Sequence, residues 1–424
     1  MSTPEVAAER WSLAQRIGFR FAFIYSILFT LPFPIFIAPG TDPLTELYYE
    51  RWYRVAEWVG RRLLHIEVVY LATTGSGDTT FAYVTVLCFS ALAAAGTLVW
   101  SSLDRRRAEH AKLHDGLRVY VRYYLAVVMI GYGVVKVIKT QFPFPGPDRL
   151  MKPLGEASPM WLLWSFMGYS KAYNVFTGAA ELGGGVLLFF RRTTTLGALV
   201  LAAVLANVVM LNFCYDVPVK LNSLHYLIFC GLLLLPDARR LADVFVLNRP
   251  TEPVAPRRPF SARWMEQGRL GAKALLIGWV LFSKTSSTLE YQSKMGDEAP
   301  RHPLYGLYEV EAFLRNGEEQ PPLLTDSRRW RAVAVDRYSK LTVRGMDDKT
   351  TRFGMKDDPE KKEITLSTGP DPESPKIVLA YSRPDPERLT LEGSFEGEAL
   401  TVRLRRVDES KYLLLNRGFR WIQE

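Results

Sequence analysis

The sequence lacks the residue sets that covalent or redox catalysis usually needs. Its three cysteines, Cys88, Cys214 and Cys230, form no Cys-x-x-Cys pair and no metal-binding spacing. No Ser–His–Asp set and no haem motif is visible. His110 and His114 stand at helical i, i+4 spacing, but no carboxylate or cysteine completes a metal site with them. We therefore predict no metal site, and the sequence identifies no catalytic residue.

The chain also lacks a basic stripe of the kind that binds nucleic acid. Its formal net charge is +9, from 53 Lys and Arg against 44 Asp and Glu. These cations cluster in short loops between apolar runs, which is typical of membrane topology and not of phosphate binding along a surface. We predict a lipid bilayer as the partner, and no nucleic acid.

Long apolar runs dominate the first two thirds of the chain. A membrane-spanning helix needs about 20 mostly apolar residues. Seven runs approach or reach that length: 17–38, 81–100, 119–138, 174–190, 194–213, 221–236 and 272–287. The last two are short enough to be buried or re-entrant helices instead. The apolar core of the first run is too long for a signal peptide and no clear cleavage site follows it, so we expect it to be retained.

The basic loops predict the orientation of these runs. Short loops rich in Lys and Arg stay in the cytoplasm, and they follow the second, fourth and sixth runs, as "SSLDRRRAEHAKLHDGLR", "RRTTT" and a segment from 237 to 269. An inside N-terminus and seven spans then place the C-terminal part outside. The loop 39–80 carries four arginines against this pattern. Its segment 46–64 is typical of an amphipathic helix lying at the membrane interface.

After residue 290 the chain turns charged and alternating, with Gly, Asp-Pro and Asn-Gly turns. Eight or nine short segments of period-two alternation between residues 307 and 407 predict an antiparallel meander, closed as a barrel or packed as a sandwich.

Several ionisable or polar residues interrupt the apolar runs, where charge is costly and by default functional. The stretch "NFCYDVPVKLNSLHYL" (212–227) contains many of them. With the predicted topology they all fall in the outer half of the bilayer, and we predict that they line one polar pocket: Lys136, Glu181, Asp216, Lys220, Asn222 and His225. The alternatives are that Lys136 extends to the headgroups, that Asp216 pairs with Lys220, and that His225 is a core residue.

Helix-end chemistry refines this prediction. Pro218 can stand at the first position of the sixth apolar helix, whose free amides Asp216 would cap. Asp78, in "TGSGDT", is a candidate cap for the helix that begins near Thr80. Lys136 and Glu181 are expected to approach within ion-pair distance or through one water, because either charge alone would be costly in the membrane.

The segments "YYLAVVMIGYGVVKVI" and "FTGAAELGGGVLLFF" resemble the DoxX family of bacterial membrane proteins over about residues 117–236. The resemblance implies a four-helix membrane core, with Lys136 and Glu181 as motif positions. It implies that Gly183, Gly184 and Gly185 are packing positions, and small residues do let membrane helices approach closely. Some relatives are quinone-reducing subunits and others are scaffolds of membrane oxidoreductase complexes.

Together these patterns predict an α-helical multi-pass membrane bundle of about seven spans followed by a small antiparallel β-domain. The predicted divisions are 1–116, the core at 117–236, a basic linker with the last span at 237–290, and the β-domain at 291–424. The predicted function is binding: a pocket for a lipid or small amphiphile, and a β-domain for a ligand or a membrane or periplasmic protein partner. The alternatives are a subunit of a quinone-linked oxidoreductase, with quinone as the only cofactor considered, and a transporter.

We predict that the β-domain is extracytoplasmic and the protein lies in a bacterial inner membrane. A C-terminal alkaline phosphatase fusion should be active, and a C-terminal fluorescent-protein fusion should be dark. Fluorescence without phosphatase activity would contradict the topology and the depth assigned to the pocket.

Overall fold

The computed structural model describes residues 11–69, 75–252, 262–369 and 376–422. The chain divides into two units, one of Met1–Gln141 with Lys171–Leu289 and one of Phe142–Ser170 with Glu290–Glu424. The second unit resumes at Glu290, and its first strand begins at Gly306. The segment Phe142–Ser170, predicted as part of the helical core, belongs instead to the unit that contains the β-domain.

Seven helices of the described residues overlap the predicted apolar runs, whereas the helices Pro147–Met151, Pro159–Tyr169, Ala238–Phe245 and Leu413–Asn416 were not predicted. In chain order the helices of the described residues are α1 (Leu13–Thr30), α2 (Asp42–Val59), α3 (Thr80–Leu103), α4 (Ala111–Val137), α5 (Pro147–Met151), α6 (Pro159–Tyr169), α7 (Lys171–Leu188), α8 (Thr194–Cys214), α9 (Lys220–Leu234), α10 (Ala238–Phe245), α11 (Arg263–Met295) and α12 (Leu413–Asn416).

Five helical stretches among the described residues are long and apolar enough to cross a membrane: Leu13–Ile37, Thr80–Leu103, Ala111–Val137, Arg191–Cys214 and Lys220–Phe245. This indicates a membrane-embedded protein. The helices α7 and α11, which hold the other two predicted runs, are not among the five, and the polar residues Lys171, Asn174 and Glu181 account for the lower hydropathy of α7. The count of seven spans stays a prediction.

The helix α4 is the centre of the first unit. In its apolar segment 61% of the residues are buried, against 28–33% in the other four candidate spans. Its buried residues pack into one core with α1, α7, α8 and α9. The outer helices instead expose large apolar side chains, as lipid-facing helices do, among them Leu98, Val99, Met210, Phe213 and Ile228.

The helix α2 confirms the predicted helix within 46–64, although the residues Gly60–Leu64 continue it as a π-helical turn. Its apolar side packs on α3 through Trp52 and Ala56, while Arg54 pairs with the exposed Glu50. The two-sided character fits the predicted interfacial position.

Glycines allow α4 and α7 to pack backbone against backbone. A Cβ atom on Gly133 would lie 2.6 Å from the backbone nitrogen of Leu182, and one on Gly178 would lie 2.8 Å from the carbonyl oxygen of Gly133. In the Gly-Gly-Gly motif, Gly185 meets α4 and Gly184 meets α8, as predicted, whereas Gly183 has no neighbour within 4 Å of its would-be Cβ. Two of the three motif glycines are therefore packing positions.

The β-domain is a closed antiparallel barrel of eight strands. In chain order the strands are β1 (Gly306–Arg315), β2 (Glu318–Glu319), β3 (Trp330–Val335), β4 (Lys340–Gly345), β5 (Thr350–Asp358), β6 (Glu363–Ser367), β7 (Lys376–Asp385), β8 (Arg388–Phe395) and β9 (Glu398–Arg406). Consecutive strands pair from β3 to β9, β1 pairs with both β3 and β9, and β2 is a two-residue addition to β1. The predicted antiparallel meander is confirmed, and of the two alternatives, barrel and sandwich, the structure shows the closed barrel.

Side chains fill the barrel interior. Alternate residues of each strand point inward, and the large ones include Tyr308, Phe313, Trp330 and Phe353, all nearly inaccessible. Eight strands give an interior just wide enough for side chains. On the outside, Met151 of α5 packs against an apolar patch of β1 and β3.

The glycine contacts predict that two Gly→Ala variants of α7 differ in stability. A Cβ on Gly178 would lie 2.7 Å from the Cβ of Lys136, so Gly178→Ala should lower the free energy of unfolding by about 1–3 kcal/mol through overpacking. The control Gly183→Ala meets open space and should be neutral or stabilising, since alanine is the better helix former. Thermal unfolding of both variants in the same detergent tests this, and equal losses would contradict the packing.

Candidate functional site

Lys136 of α4 and Glu181 of α7 form a buried ion pair. The Nζ of Lys136 donates to Oε1 at 2.8 Å and to Oε2 at 2.6 Å, and the two residues are only 7% and 3% exposed. The predicted approach of these residues is confirmed. Tyr132, one turn before Lys136, places its ring centroid 5.5 Å from the same Nζ. The charge of Lys136 is thus satisfied by a carboxylate and by an aromatic face.

A tyrosine cluster lies beside this pair. Tyr226 of α9 packs between Tyr124 and Tyr132 of α4, with ring centroids 6.4 and 6.2 Å away. Sequence analysis missed all three tyrosines. A usable signal existed for Tyr132, because its i, i+4 spacing to Lys136 places both on one helix face.

The turn between α8 and α9 does not use Asp216 as predicted. The helix α9 begins at Lys220, and Asp78 caps it: its Oδ2 accepts from the Lys220 amide at 2.8 Å and its Oδ1 from the Leu221 amide at 2.9 Å. Asp216 has a φ of 50° and an 83% exposed side chain that accepts from the Nζ of Lys220 at 2.8 Å. The predictions of Asp216 as the cap and of Pro218 as the first helical residue are wrong.

Asp78 also does not cap α3, which corrects the second helix-end prediction. The hydroxyl of Thr79 accepts from the amide of Ala82 and serves as that cap. The carboxylate of Asp78 binds α9 and not α3, because the free amides and the positive dipole end of α9 stabilise it. The residues 75–78 are further tied to the α8–α9 turn, since the amide of Gly77 donates to the carbonyl of Pro218 at 2.7 Å. Asn222 lies directly against Gly77, whose would-be Cβ is 2.9 Å from its Nδ2. Thr73 and Thr74 of the same motif lie outside the described residues.

His225 is held against α1. Its Nδ1 lies 2.7 Å from the carbonyl oxygen of Leu221, and its Nε2 lies 2.6 Å from the hydroxyl of Tyr25. A carbonyl only accepts, so Nδ1 carries a proton and donates to it, while Nε2 shares a hydrogen bond with the tyrosine hydroxyl, which can donate or accept. Phe29 stacks on the imidazole at 3.9 Å and 5°. Among the described residues no hydrogen bond, ion pair or ring contact joins His225 to Glu181, with which it was predicted to line one pocket.

The six predicted residues are thus distributed over three clusters. Lys136 and Glu181 bind each other in the bundle core, Asp216, Lys220 and Asn222 surround the α8–α9 turn, and His225 binds α1. Most of their polar atoms are satisfied by side chains or backbone of the same chain. The arrangement stabilises helix contacts, and of the six residues only Asp216 is exposed, whereas Lys220 and Asn222 are half-buried.

The second unit contains a polar cleft. Its cavity has a volume of about 270 Å³. One wall is the segment from Pro143 to Trp161, which contains α5 and the start of α6. The other wall is the turn between β3 and β4 together with the strands β4 and β5. Four cations and two carboxylates line the cavity together with aromatic side chains; the charged residues are Asp148, Arg149, Asp336, Arg337, Lys340 and Arg352. The cleft therefore has an excess of positive charge beside flat apolar surfaces.

Local contacts fix the walls of this cleft. Arg337 donates to Asp297 at 3.1 Å, and the same carboxylate oxygen accepts from the Phe144 amide at 2.9 Å. Arg149 lies over the ring of Trp161, 6.0 Å from its centroid. Burial raises the pKa of the Asp336 carboxyl, although the amides of Tyr338 and Lys340 donate to it and favour its charged form. Sequence analysis missed the cleft because its two walls are far apart in the chain.

Comparison with known proteins gives one informative relationship. Over 124 residues the chain is 33% identical to the uncharacterized protein YwoB of Bacillus subtilis (strain 168), a match that covers 29% of this chain and 79% of YwoB. No family model matches the chain, and no solved structure matches it. The resemblance to the DoxX family therefore stays a prediction.

The capping contacts predict unequal roles for two aspartates near α9. Asp78→Ala removes the acceptor of two helix amides and should lower the free energy of unfolding by about 1–2 kcal/mol. Asp216→Ala removes one exposed ion pair and should cost less than about 1 kcal/mol. Chemical unfolding of the two variants in mild detergent measures the difference, and a larger loss for Asp216→Ala would reverse the assignment.

Proposed function

The chain belongs to the same family as YwoB of Bacillus subtilis, and on this premise we propose that it is a binding protein anchored in the bacterial inner membrane. In this proposal the helical unit is a DoxX-like scaffold and the barrel unit carries an extracytoplasmic ligand site. Asp216 and Lys220 contact lipid headgroups at the outer boundary.

The observation that carries this proposal is the cleft of the second unit. Polar groups in the helices are mostly bonded to one another, and the barrel interior is filled by side chains. The cleft is open to a ligand and combines cations with aromatic walls, among them Trp161 and Tyr338. Cations bind anionic groups, and aromatic faces supply apolar contact area. The ligand class that fits is a small anionic amphiphile with a flat apolar part.

A quinone-linked oxidoreductase subunit is the second candidate. The aromatic surroundings of His225, with Tyr25 and Phe29, are the observation that favours it. A quinone carbonyl, which only accepts, would bind the hydroxyl of Tyr25 or a protonated Nε2 of His225 in place of the bond between them, and Glu181 or His225 would exchange protons. No electron relay has been identified in the sequence, so this candidate needs a redox partner.

The proposed ligand class is tested with 1-naphthyl phosphate as an anionic aromatic probe and 1-naphthol as its neutral counterpart. The full-length chain should bind 1-naphthyl phosphate more tightly than 1-naphthol. Arg352→Glu should weaken that binding about tenfold, which corresponds to about 1.4 kcal/mol. The matched control is Lys356→Glu, an exposed cation on the same face of β5 that does not line the cleft.

The outcomes separate the two candidates. Binding that is equally weakened by the two charge reversals would mean general electrostatic attraction and would contradict the cleft. Glu181→Gln should leave probe binding unchanged. A quinone extracted from the purified protein and lost in a His225→Leu variant would favour the oxidoreductase candidate instead.

A further inference from the structure

Arg122 of α4 is a buried cation that pairs with no carboxylate among the described residues, although the ring centroid of Tyr123 lies 5.3 Å from its Cζ. Arg122 is only 6% exposed, and its Nη1 donates to the hydroxyl of Thr194 at 3.2 Å. That hydroxyl itself donates to the carbonyl of Phe190. The Nε of Arg122 is buried and has no hydrogen-bond partner. In the parts of the chain that the structure describes, no carboxylate lies within ion-pair distance of it. Buried arginines are normally paired, so the orphaned Nε indicates an anion from outside the chain.

Three more cations surround Arg122. Lys273 of α11 lies with its Nζ 4.8 Å from the ring centroid of Phe190, and the charges of Arg122, Arg191 and Arg269 all act on it. The carboxylate that also acts on Lys273 belongs to Glu266, and both oxygens of Glu266 already accept from Arg269. Arg122 binds the hydroxyl of Thr194, which donates to the carbonyl of Phe190. Lys273 lies over the ring of the same Phe190, so these contacts bring the two cations together beside Arg191. Like charges repel one another, and a bound anion would reduce that repulsion.

The surface beside these cations is apolar. Leu270 of α11, one turn before Lys273, is exposed, and so are Phe190, which precedes α8, and Leu196 of α8. A free phosphate would use the cations alone, whereas a phospholipid uses the cations for its phosphate and the apolar surface for its chains.

We infer that Arg122, Arg191 and Lys273 form a binding site for the phosphate of an anionic phospholipid, at the end of the helical unit where α4 and α11 begin. Its location is separate from the cleft of the barrel unit. The site supports the scaffold role proposed for the helices, because a lipid bound between α4, α8 and α11 stabilises the contact of these three helices. It does not depend on the ligand proposed for the cleft.

Native mass spectrometry of the full-length chain with phosphatidylglycerol and phosphatidylcholine tests the site. The chain should retain phosphatidylglycerol at least about fivefold more tightly, and Lys273→Gln should lose about fivefold of that affinity, the value of one cation near an anionic lipid. Arg122→Gln should lose at least as much. Lys273 is only partly buried, so its variant gives an answer even if the arginine variant fails to fold.

The control is Lys112→Gln, an exposed cation in the first turn of α4, which should bind phosphatidylglycerol as the parent chain does. Equal affinity for the two lipids, or equal losses in Lys273→Gln and Lys112→Gln, would overturn the inference. Inorganic phosphate in excess should leave the bound lipid in place. Displacement of the lipid by inorganic phosphate would overturn the lipid assignment in favour of a free-anion site.

Discussion

Lys136 and Glu181 keep their bidentate contact only because α4 and α7 touch backbone to backbone at Gly133 and Gly178. Breaking a buried pair by removing one partner leaves an uncompensated charge and costs about 3–5 kcal/mol. Side chains on those glycines would separate the helices and the charges together. Since α4 is also the most buried helix, the arrangement of the remaining helices around it depends on this contact.

The two units provide hydrogen-bond partners for their polar groups in different ways. In the helical unit, charges and hydroxyls pair across helices, as Asp78 does with the amides of α9 and His225 does with Tyr25. In the second unit, closure of the sheet pairs the strand edges and apolar side chains fill the interior. Polar groups left over from that closure, such as Arg352, lie on the outer surface, where the cleft is formed. Binding chemistry is therefore concentrated outside the barrel.

The buried polar groups of the helical unit differ in whether partners within the chain satisfy them. Glu181 has a cation at two short distances, and the imidazole of His225 is bonded at both nitrogens, so neither needs a ligand to be stable. Arg122 is as deeply buried, yet it has a hydroxyl in place of a carboxylate. A buried charge without a counter-charge is the more costly state in a membrane. A bound anion is therefore favoured at Arg122, whereas the Lys136–Glu181 pair needs no ligand.

The sequence by itself determined the helices and strands and one of the functional contacts. Apolar runs, period-two alternation and turn residues are local patterns, and they predicted the seven long apolar helices, the helix α2 and all eight barrel strands, but not the short helices α5, α6, α10 and α12. The Lys136–Glu181 pair was predictable because two costly charges at matching depth have a strong physical reason to meet. Tertiary structure alone decided that Asp78 and not Asp216 caps α9, because the carboxylate and its amides are more than 140 residues apart. It also decided that Arg122 pairs with no carboxylate in the described part of the chain, since a residue's counter-charge depends on which helices pack beside it and not on its neighbours in sequence.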